Sequence, residues 1–524
     1  MKTILETAAI VLALFHTAAA QLLISGTPSK TVTLTDTNSA IGYAYNLQRS
    51  TDLVNWATLG APLTGTSAPI RWTDTPGLTH AFYQAVQTPI NTCPLYGLGF
   101  SPYLDGQSGT SNITIPVSQI QARMQAIAPF CQGGYIRNFS MINGLQVSGS
   151  VAHSLGLKAA LTAWLEPENT SAEIAANQAN IANLITAGTT GQADILVVGS
   201  ETQGNPPPGE TPLSESQLIA CINEVKAAVQ PTQNIPVTTA DTYGAYQNFS
   251  PTLLADCDVL FVNFYPFWQP IDFADAMPAL NVQYLTMEFL APGKTVWVSE
   301  TGWPSGGSTY ENIAVPSPAN AASYLQTFIS WARYHSIPYL YFEAYNEAWK
   351  SAVEGNNGPY WGLWTSTGSM QSWVPPILSN QYYPSTWDSL INGSGTPTIA
   401  FTSVPALSDT VTTTVAGTVS HVAPFNAYVA LYIYVAGFWY EKPYANAPFT
   451  AISTSGSWTN IYASAVTDFN ATKIAACVYP FSYIPPGVLN SPTLSSTANA
   501  LAFTIYTRSN QALQIEIRNK SKTR

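Results

Sequence analysis

Thr295-Val296-Trp297-Val298-Ser299-Glu300-Thr301-Gly302-Trp303-Pro304-Ser305 is the stretch on which the reading of this chain turns. Val296, Trp297 and Val298 form a short β-branched and aromatic run, the pattern of a buried strand. Gly302 and Pro304 break that run just past Glu300. An unpaired carboxylate is costly inside an apolar core, so a glutamate that ends such a strand belongs where the strand leaves the core. The same design recurs twice. Ala193-Asp194-Ile195-Leu196-Val197-Val198-Gly199 leads into Ser200-Glu201, and the run Tyr339 to Phe342 leads into Glu343, Asn346, Glu347 and Lys350.

Working outward, eight apolar strand candidates begin near Leu95, Tyr135, Leu157, Ile195, Pro236, Val259, Val296 and Tyr339. Segments with helical spacing lie between several of them. Leu218, Ile222, Val225 and Val229 share one helix face, behind a capping box formed by Ser214 and Gln217. Ile120, Met124 and Ile127 mark a second helix, and Leu325, Phe328 and Ala332 a third. Alternating strands and helices over residues 91–380 predict an α/β fold, a (β/α)8 TIM barrel. No glycine-rich phosphate fingerprint follows the first strand, which argues against an open doubly wound sheet. In such barrels catalytic groups stand at the C-terminal ends of the strands. Glu201 and Glu300, ending strands four and seven, then face each other across the mouth. Two facing carboxylates are what cleavage of a glycosidic bond needs, one as proton donor and one as nucleophile.

Both flanks read differently. Residues 21–90 alternate in short runs broken by turn signals, and residues 390–507 return to the same patterning through Tyr428–Val435 and Lys473–Tyr479. The expected architecture is therefore a barrel flanked by two small all-β, sandwich-like domains. The C-terminal Phe438-Trp439-Tyr440 is suited to a core or domain-docking role, with polysaccharide binding as the alternative. Residues 508–524, with Arg508, Arg518, Lys520, Lys522 and Arg524, read as a basic, solvated tail. Residues 1–20 read as a signal peptide: Lys2, an apolar run from Ala8 to Phe15, and Ala18-Ala19-Ala20 before Gln21. No later stretch is long and apolar enough for a membrane span. Export makes disulfides feasible. Cys93–Cys131 and Cys221–Cys257 are candidate pairs, with buried free thiols as the alternative, and an odd cysteine remains.

Composition narrows the partner. With a formal net charge of −11 and only 9% charged residues, the chain lacks the positive field that phosphate backbones and anionic membranes require. Aromatics reach 12%, a content suited to neutral, wet ligands such as sugars. Tyr103, Tyr265, Trp268, Trp303 and Trp349 are candidate sugar-stacking faces, with a packing role the equal alternative for each; Trp303 is foremost because it follows Glu300 so closely.

At these residues the chain resembles glycoside hydrolase family 17, the 1,3-β-glucanases and related glucanosyltransferases of the bacterial and fungal branch. The resemblance spans about 91–378. It rests on Gly97-Leu98-Gly99-Phe100-Ser101-Pro102-Tyr103-Leu104-Asp105-Gly106-Gln107, on Tyr135-Ile136-Arg137, on Asn263-Phe264-Tyr265-Pro266 and on Phe342-Glu343-Ala344-Tyr345-Asn346-Glu347 with Lys350. The most specific match is Trp297 to Ser305. The resemblance implies Glu300 as nucleophile, Glu201 as acid/base, Arg137 as an orienting group, and Tyr265 at the floor of the site. It also implies support from Glu347 and Lys350, with Glu343 beside them. One residue departs: the family places Asn before the acid/base, where this chain has Ser200. That Asn is expected to bind the sugar 2-hydroxyl, a contact that tightens in the transition state. Retaining hydrolysis of 1,3-β-glucan, with no metal or organic cofactor, is the implied activity. A weakly active or non-catalytic glucan-binding surface protein, associated with the cell surface through its β modules, and a glucanosyltransferase are the alternatives.

Overall fold

A computed structural model describes residues 22–26, 31–36, 39, 43–65, 68–75, 81–90, 94–111, 113–131, 133–204, 212–379, 388–444, 447–485 and 491–514. The expected signal peptide, Cys93, Arg518, Lys520, Lys522 and Arg524 lie outside the described residues.

Seven parallel strands are hydrogen-bonded in chain order: Gly97–Gly99, Tyr135–Arg137, Lys158–Ala163, Ile195–Ser200, Val237–Thr242, Leu260–Asn263 and Val296–Glu300. The eighth staves the gap between the two edges. Tyr339 bridges in parallel to Val298, and Tyr341 to Leu98. Leu340 N–H donates to the Val298 carbonyl and Tyr341 N–H to that of Gly97, both at 2.9 Å. Closure explains one glycine, because a Cβ at Gly97 would stand 2.6 Å from Leu340 Cδ2. The chain is thus an α/β TIM barrel with additional all-β sheets. The expected helix faces are buried, and Ser214 and Gln217 form the reciprocal cap.

Strand side chains alternate in direction, and this alternation builds the barrel interior in layers. Ala160, Ile195, Val197, Ala240, Phe261, Trp297 and Leu340 form its apolar cluster. Two residues further along four of these or neighbouring strands stand Arg137, Thr162, Asn263 and Ser299. The core is therefore capped, at the C-terminal ends of the strands, by a polar layer.

The described residues up to Leu95 cluster with 369–379 as one compact unit, and those of 96–368 cluster with those of 388–514 as a second. In the first, two three-stranded antiparallel sheets enclose Leu34, Tyr45, Leu47, Trp72 and Tyr83. In the second, the barrel is joined by two four-stranded antiparallel sheets, whose strands lie between Thr398 and Gln514. Val415, Val419, Val429, Leu431, Trp458 and Ile474 are among the residues packed between them. The outer face of one sheet, with Tyr428, Tyr432, Trp439 and Tyr479, closes over Leu285 of helix Ala276–Leu290. Trp439 thus packs in this docking cluster, while Phe438 on the opposite face is 39% exposed.

Two expectations need correction. Arg508 is no part of a solvated tail. It is 4% exposed, and its guanidinium donates to the carbonyls of Pro405, Ala406, Phe469 and Ala471. Cys221 and Cys257 are both free thiols rather than a disulfide pair.

His335 joins the barrel to the C-terminal sheets. Its ring lies 3.7 Å from that of Phe481, and its Nε2 is 2.8 Å from Asn426 Oδ1. Burial pulls its pKa down to about 4, against hydrogen bonds to Asn426 and the Phe425 backbone that act the other way. Between that value and the ordinary 6.5 the unfolded chain binds more protons than the folded one, so this contribution to stability is present above pH 6.5 and lost as pH falls toward 4. Thermal melting from pH 7 to pH 4 should show a steeper acid-side loss in wild type than in His335→Gln. Equal slopes would rule out this role.

Candidate active site

Glu300 ends the seventh strand and is 6% exposed; Arg137, on the second, is fully buried. Arg137 Nη1 donates to Glu300 Oε1 at 2.7 Å, and the Tyr265 hydroxyl donates to Glu300 Oε2 at 2.8 Å. Both oxygens of the carboxylate are therefore held. Burial, and then the charge of Glu300, push the Tyr265 hydroxyl well above its ordinary pKa, so it stays a donor. Removing one partner of a buried ion pair of this kind costs about 3–5 kcal/mol, because the other charge is stranded.

Glu201 follows the fourth strand in a different setting. Its backbone sits at φ 54°, just after Gly199 at φ 77°, in a region that side-chain-bearing residues seldom occupy. The turn is secured by the Glu201 N–H donating to the Ala240 carbonyl at 2.8 Å and by the Gln203 N–H donating to Asp241 Oδ2 at 3.0 Å. Asn263 Nδ2 donates to Glu201 Oε1 at 2.8 Å. Burial, then the nearby Glu300 charge, push Glu201 up to about 8, against the opposing hydrogen bond from Asn263. One carboxyl is thus pushed toward its protonated form while the other is gripped by an arginine and a tyrosine, two different environments of the kind that separate acid from nucleophile. Asp241 is also pushed up, to about 6, by burial ahead of the opposing backbone N–H groups of Gln203 and Thr242.

The two glutamates are cross-tied. Arg137, which binds Glu300, also donates through Nη2 to Ser200 Oγ at 2.8 Å, and Ser200 precedes Glu201. Asn263, which binds Glu201, accepts from Ser299 Oγ at 2.6 Å, and Ser299 precedes Glu300. Arg137 Nε donates to Thr162 Oγ1 at 3.2 Å, fixing the guanidinium plane.

Past the eighth strand lies a second buried cluster. Lys350 Nζ pairs with Glu343 Oε1 at 2.5 Å and with Glu347 Oε2 at 2.8 Å. Burial pushes Glu343 well above the carboxylate range, with Glu347 adding to the shift and Lys350 opposing it. Buried charges of this kind are accommodated in a core by pairing with one another, as Lys350 does with both glutamates. Lys350 bonds to Glu343 and Glu347 rather than to Glu201 or Glu300. The cluster adjoins the site through Phe342, whose ring lies 4.2 Å from Lys350 Nζ and packs edge-on to Tyr265 at 5.9 Å. Trp349 donates to Glu347 Oε1 at 3.0 Å and packs against Tyr103.

Sequence reasoning placed Glu201, Glu300, Arg137, Ser200 and Tyr265 together, and the structure joins them in one network. Trp303 is different. It is 1% exposed, its indole N–H donates to the Val315 carbonyl, and Phe267, Phe273 and Tyr324 pack around its ring. Its faces are covered by protein rather than open to a sugar. Asn263 and Ser299 lie within the motifs, but nothing in their spacing marks them as partners of the two glutamates. Trp361 and Glu354 carry no sequence signal, yet Trp361 packs 5.5 Å from Tyr265 and donates to Glu354 Oε2.

Residues 97–362 match the model of the BtgE/BtgC glycoside hydrolase domain. The chain is 30% identical over 246 residues to a glucan 1,3-beta-glucosidase of Candida albicans, covering 44% of this chain and 77% of that protein. It is 26% identical over 294 residues to the glucan 1,3-beta-glucosidase of Saccharomyces cerevisiae, covering 52% of this chain and 89% of that one. Among solved structures, it is similar to a family 17 β-1,3-glucanosyltransferase from Rhizomucor miehei, with 25% identity, a TM-score of 0.44, and coverage of 53% of this chain and 95% of that one. Among the described residues, no helix is long and apolar enough to cross a membrane.

Proposed function

From the premise that this chain belongs to the BtgE/BtgC glycoside hydrolase family through residues 97–362, we propose that it is a secreted, retaining hydrolase of 1,3-β-glucan. The observation that carries this reading is the cross-tied pair: Glu300 gripped by Arg137 and Tyr265, and Glu201 held by Asn263, with burial pushing its pKa up. The relatives' names add the substrate, and the run at residues 1–20 supports export.

In the first step the Glu300 carboxylate attacks the anomeric carbon. The glycosidic C–O bond breaks as Glu201 gives its proton to the departing oxygen. Glu300 is then neutral, esterified to the sugar, and Glu201 is ionised. In the second step Glu201 takes a proton from water, whose oxygen attacks the same carbon and frees Glu300. Arg137 and Tyr265 hold the Glu300 oxygens through both steps, and no metal or organic cofactor is called for. Two inversions return the original anomeric configuration.

The test is release of reducing ends from laminarin, beside β-1,4- and β-1,6-glucans. The reading expects turnover of the β-1,3-polymer, with much weaker action on the other two. Equal, background-level activity in wild type and Glu300→Gln would contradict it and favour a glucan-binding protein.

Ser200 tunes rate within this reading. Its hydroxyl accepts from Arg137, leaving one short donor where the family has an amide. An Asn here keeps a carbonyl for Arg137 and adds an N–H for the sugar 2-hydroxyl. Ser200→Asn is expected to raise kcat about tenfold, the worth of one hydrogen bond that strengthens in the transition state. Steady-state kinetics on laminarin checks it; a loss would mean the surroundings fit only serine.

A further inference from the structure

The contact between Ser299 and Asn263 has no part in the mechanism above, yet it ends on the acid. Ser299 is fully buried and Asn263 2% exposed, so neither amide nor hydroxyl has water as an alternative partner. The 2.6 Å separation of Ser299 Oγ and Asn263 Oδ1 is normal for O–H···O and short for N–H···O. The amide therefore turns its oxygen to Ser299 and its N–H to Glu201 Oε1, at 2.8 Å. The opposite orientation would present the amide oxygen to Glu201. A protonated carboxyl would then donate its hydrogen to Asn263, and the proton needed by the leaving group would be tied up.

Resting on the reading of Glu201 as acid/base, we propose that Ser299 and Asn263 are positioning residues for it. Ser299 fixes the amide, and the amide occupies Glu201 Oε1 so that the transferable proton is carried by Oε2. The device spans three strands: the residue preceding the nucleophile on the seventh strand sets the acid on the fourth through a side chain on the sixth. This gives Ser299 a role separate from any contact with substrate.

The test uses the full chain and a series of aryl β-laminaribiosides, from phenyl to dinitrophenyl, in Ser299→Ala, Ser299→Thr, Asn263→Ala and the Ser299→Ala/Asn263→Ala double variant. Phenyl leaving groups need the proton and dinitrophenyl ones do not. Ser299→Ala should lower kcat/KM about tenfold for phenyl and less than about twofold for dinitrophenyl. Its alkaline pH limb should move upward, since an amide that accepts from the carboxyl favours the protonated form. Ser299→Thr should restore both. The double variant should be no worse than Asn263→Ala, because the serine acts only through the amide. Equal losses across leaving groups, an unmoved alkaline limb, or additive effects would overturn the proposal. If Asn263→Ala does not fold, the Ser299 pair decides alone. Glu201→Ala is the control. Leaving-group dependence in Glu201→Ala but not in Ser299→Ala overturns this proposal by itself. Its absence from Glu201→Ala overturns the acid assignment, and the proposal with it.

Discussion

Glu300→Gln is expected to lower kcat on laminarin by at least ~10⁴-fold, the scale seen when a hydrolase loses its nucleophile, while the protein stays folded. Glutamine keeps the volume: its carbonyl oxygen can accept from Arg137 in place of Oε1, and its amide N–H can donate to the Tyr265 hydroxyl in place of Oε2. It cannot form the ester to the sugar. Some stability should be lost, because Arg137 is fully buried and its Nη1 then lacks a negative partner. Activity and thermal melting measured on one preparation separate the two effects. Laminarin binding should persist in the inactive variant, since Glu300 bonds to the reacting carbon only during the reaction. Near-normal turnover would remove Glu300 from the chemistry.

Glu201→Ala is the second large effect, and its pattern carries more information than its size. Loss of general acid catalysis should cost about 10²–10⁴-fold on laminarin, whose sugar leaving group needs the proton. On a dinitrophenyl glycoside the first step should be nearly unaffected, and the glycosyl-enzyme should accumulate because no base activates water. Added azide needs no base, so it should restore turnover and yield the β-glycosyl azide. The wild-type pH profile makes the same point. Burial and the Glu300 charge push Glu201 up to about 8, so the free enzyme keeps its acid through neutral pH. kcat/KM should fall as pH rises past about 8 and the proton is lost, and Glu201→Ala should lack that limb. The shift also has a stability consequence. The folded chain retains this proton between the ordinary 4.5 and about 8, where the unfolded chain releases it, so this contribution declines as pH climbs through that window.

What could be read from sequence was whatever depends on local pattern. The strand beginning near Tyr135 starts at Tyr135, that near Ile195 at Ile195, and that near Val296 at Val296, because short apolar runs bounded by turn signals have few other ways to bury themselves. Glu201 and Glu300 were legible for the same reason, as charges at the end of such runs. Asn263 and Ser299 were not, because short polar residues near a strand end are ordinary and their meaning comes from partners on other strands. The available signal was alternation: Phe261 and Trp297 face the barrel core, and two residues on the same direction delivers Asn263 and Ser299. Trp303 misled in the opposite sense. Proximity in sequence to Glu300 suggested an open platform, but a Cβ at Gly302 would lie 2.3 Å from the Phe342 carbonyl oxygen. The chain there runs against the eighth strand, and the ring of Trp303 is packed by Phe267, Phe273 and Tyr324. Arg508 was misjudged by its place near the C-terminus, where charge usually means solvent; four carbonyls hold it inside instead.

In the proposed mechanism Glu300 bonds covalently to the sugar while Glu201 manages the proton. Treating the enzyme with a 2-deoxy-2-fluoro-β-laminaribiosyl fluoride, which forms the glycosyl-enzyme faster than it hydrolyses, and mapping the adduct by peptide mass spectrometry tests it most directly. The predicted result is one 2-deoxy-2-fluorolaminaribiosyl group, a disaccharide, added to the peptide carrying Trp297 to Ser305, at Glu300, and absent from Glu300→Gln. An adduct at Glu201 or any other carboxylate, or no adduct in an enzyme that turns over laminarin with inversion, would contradict it.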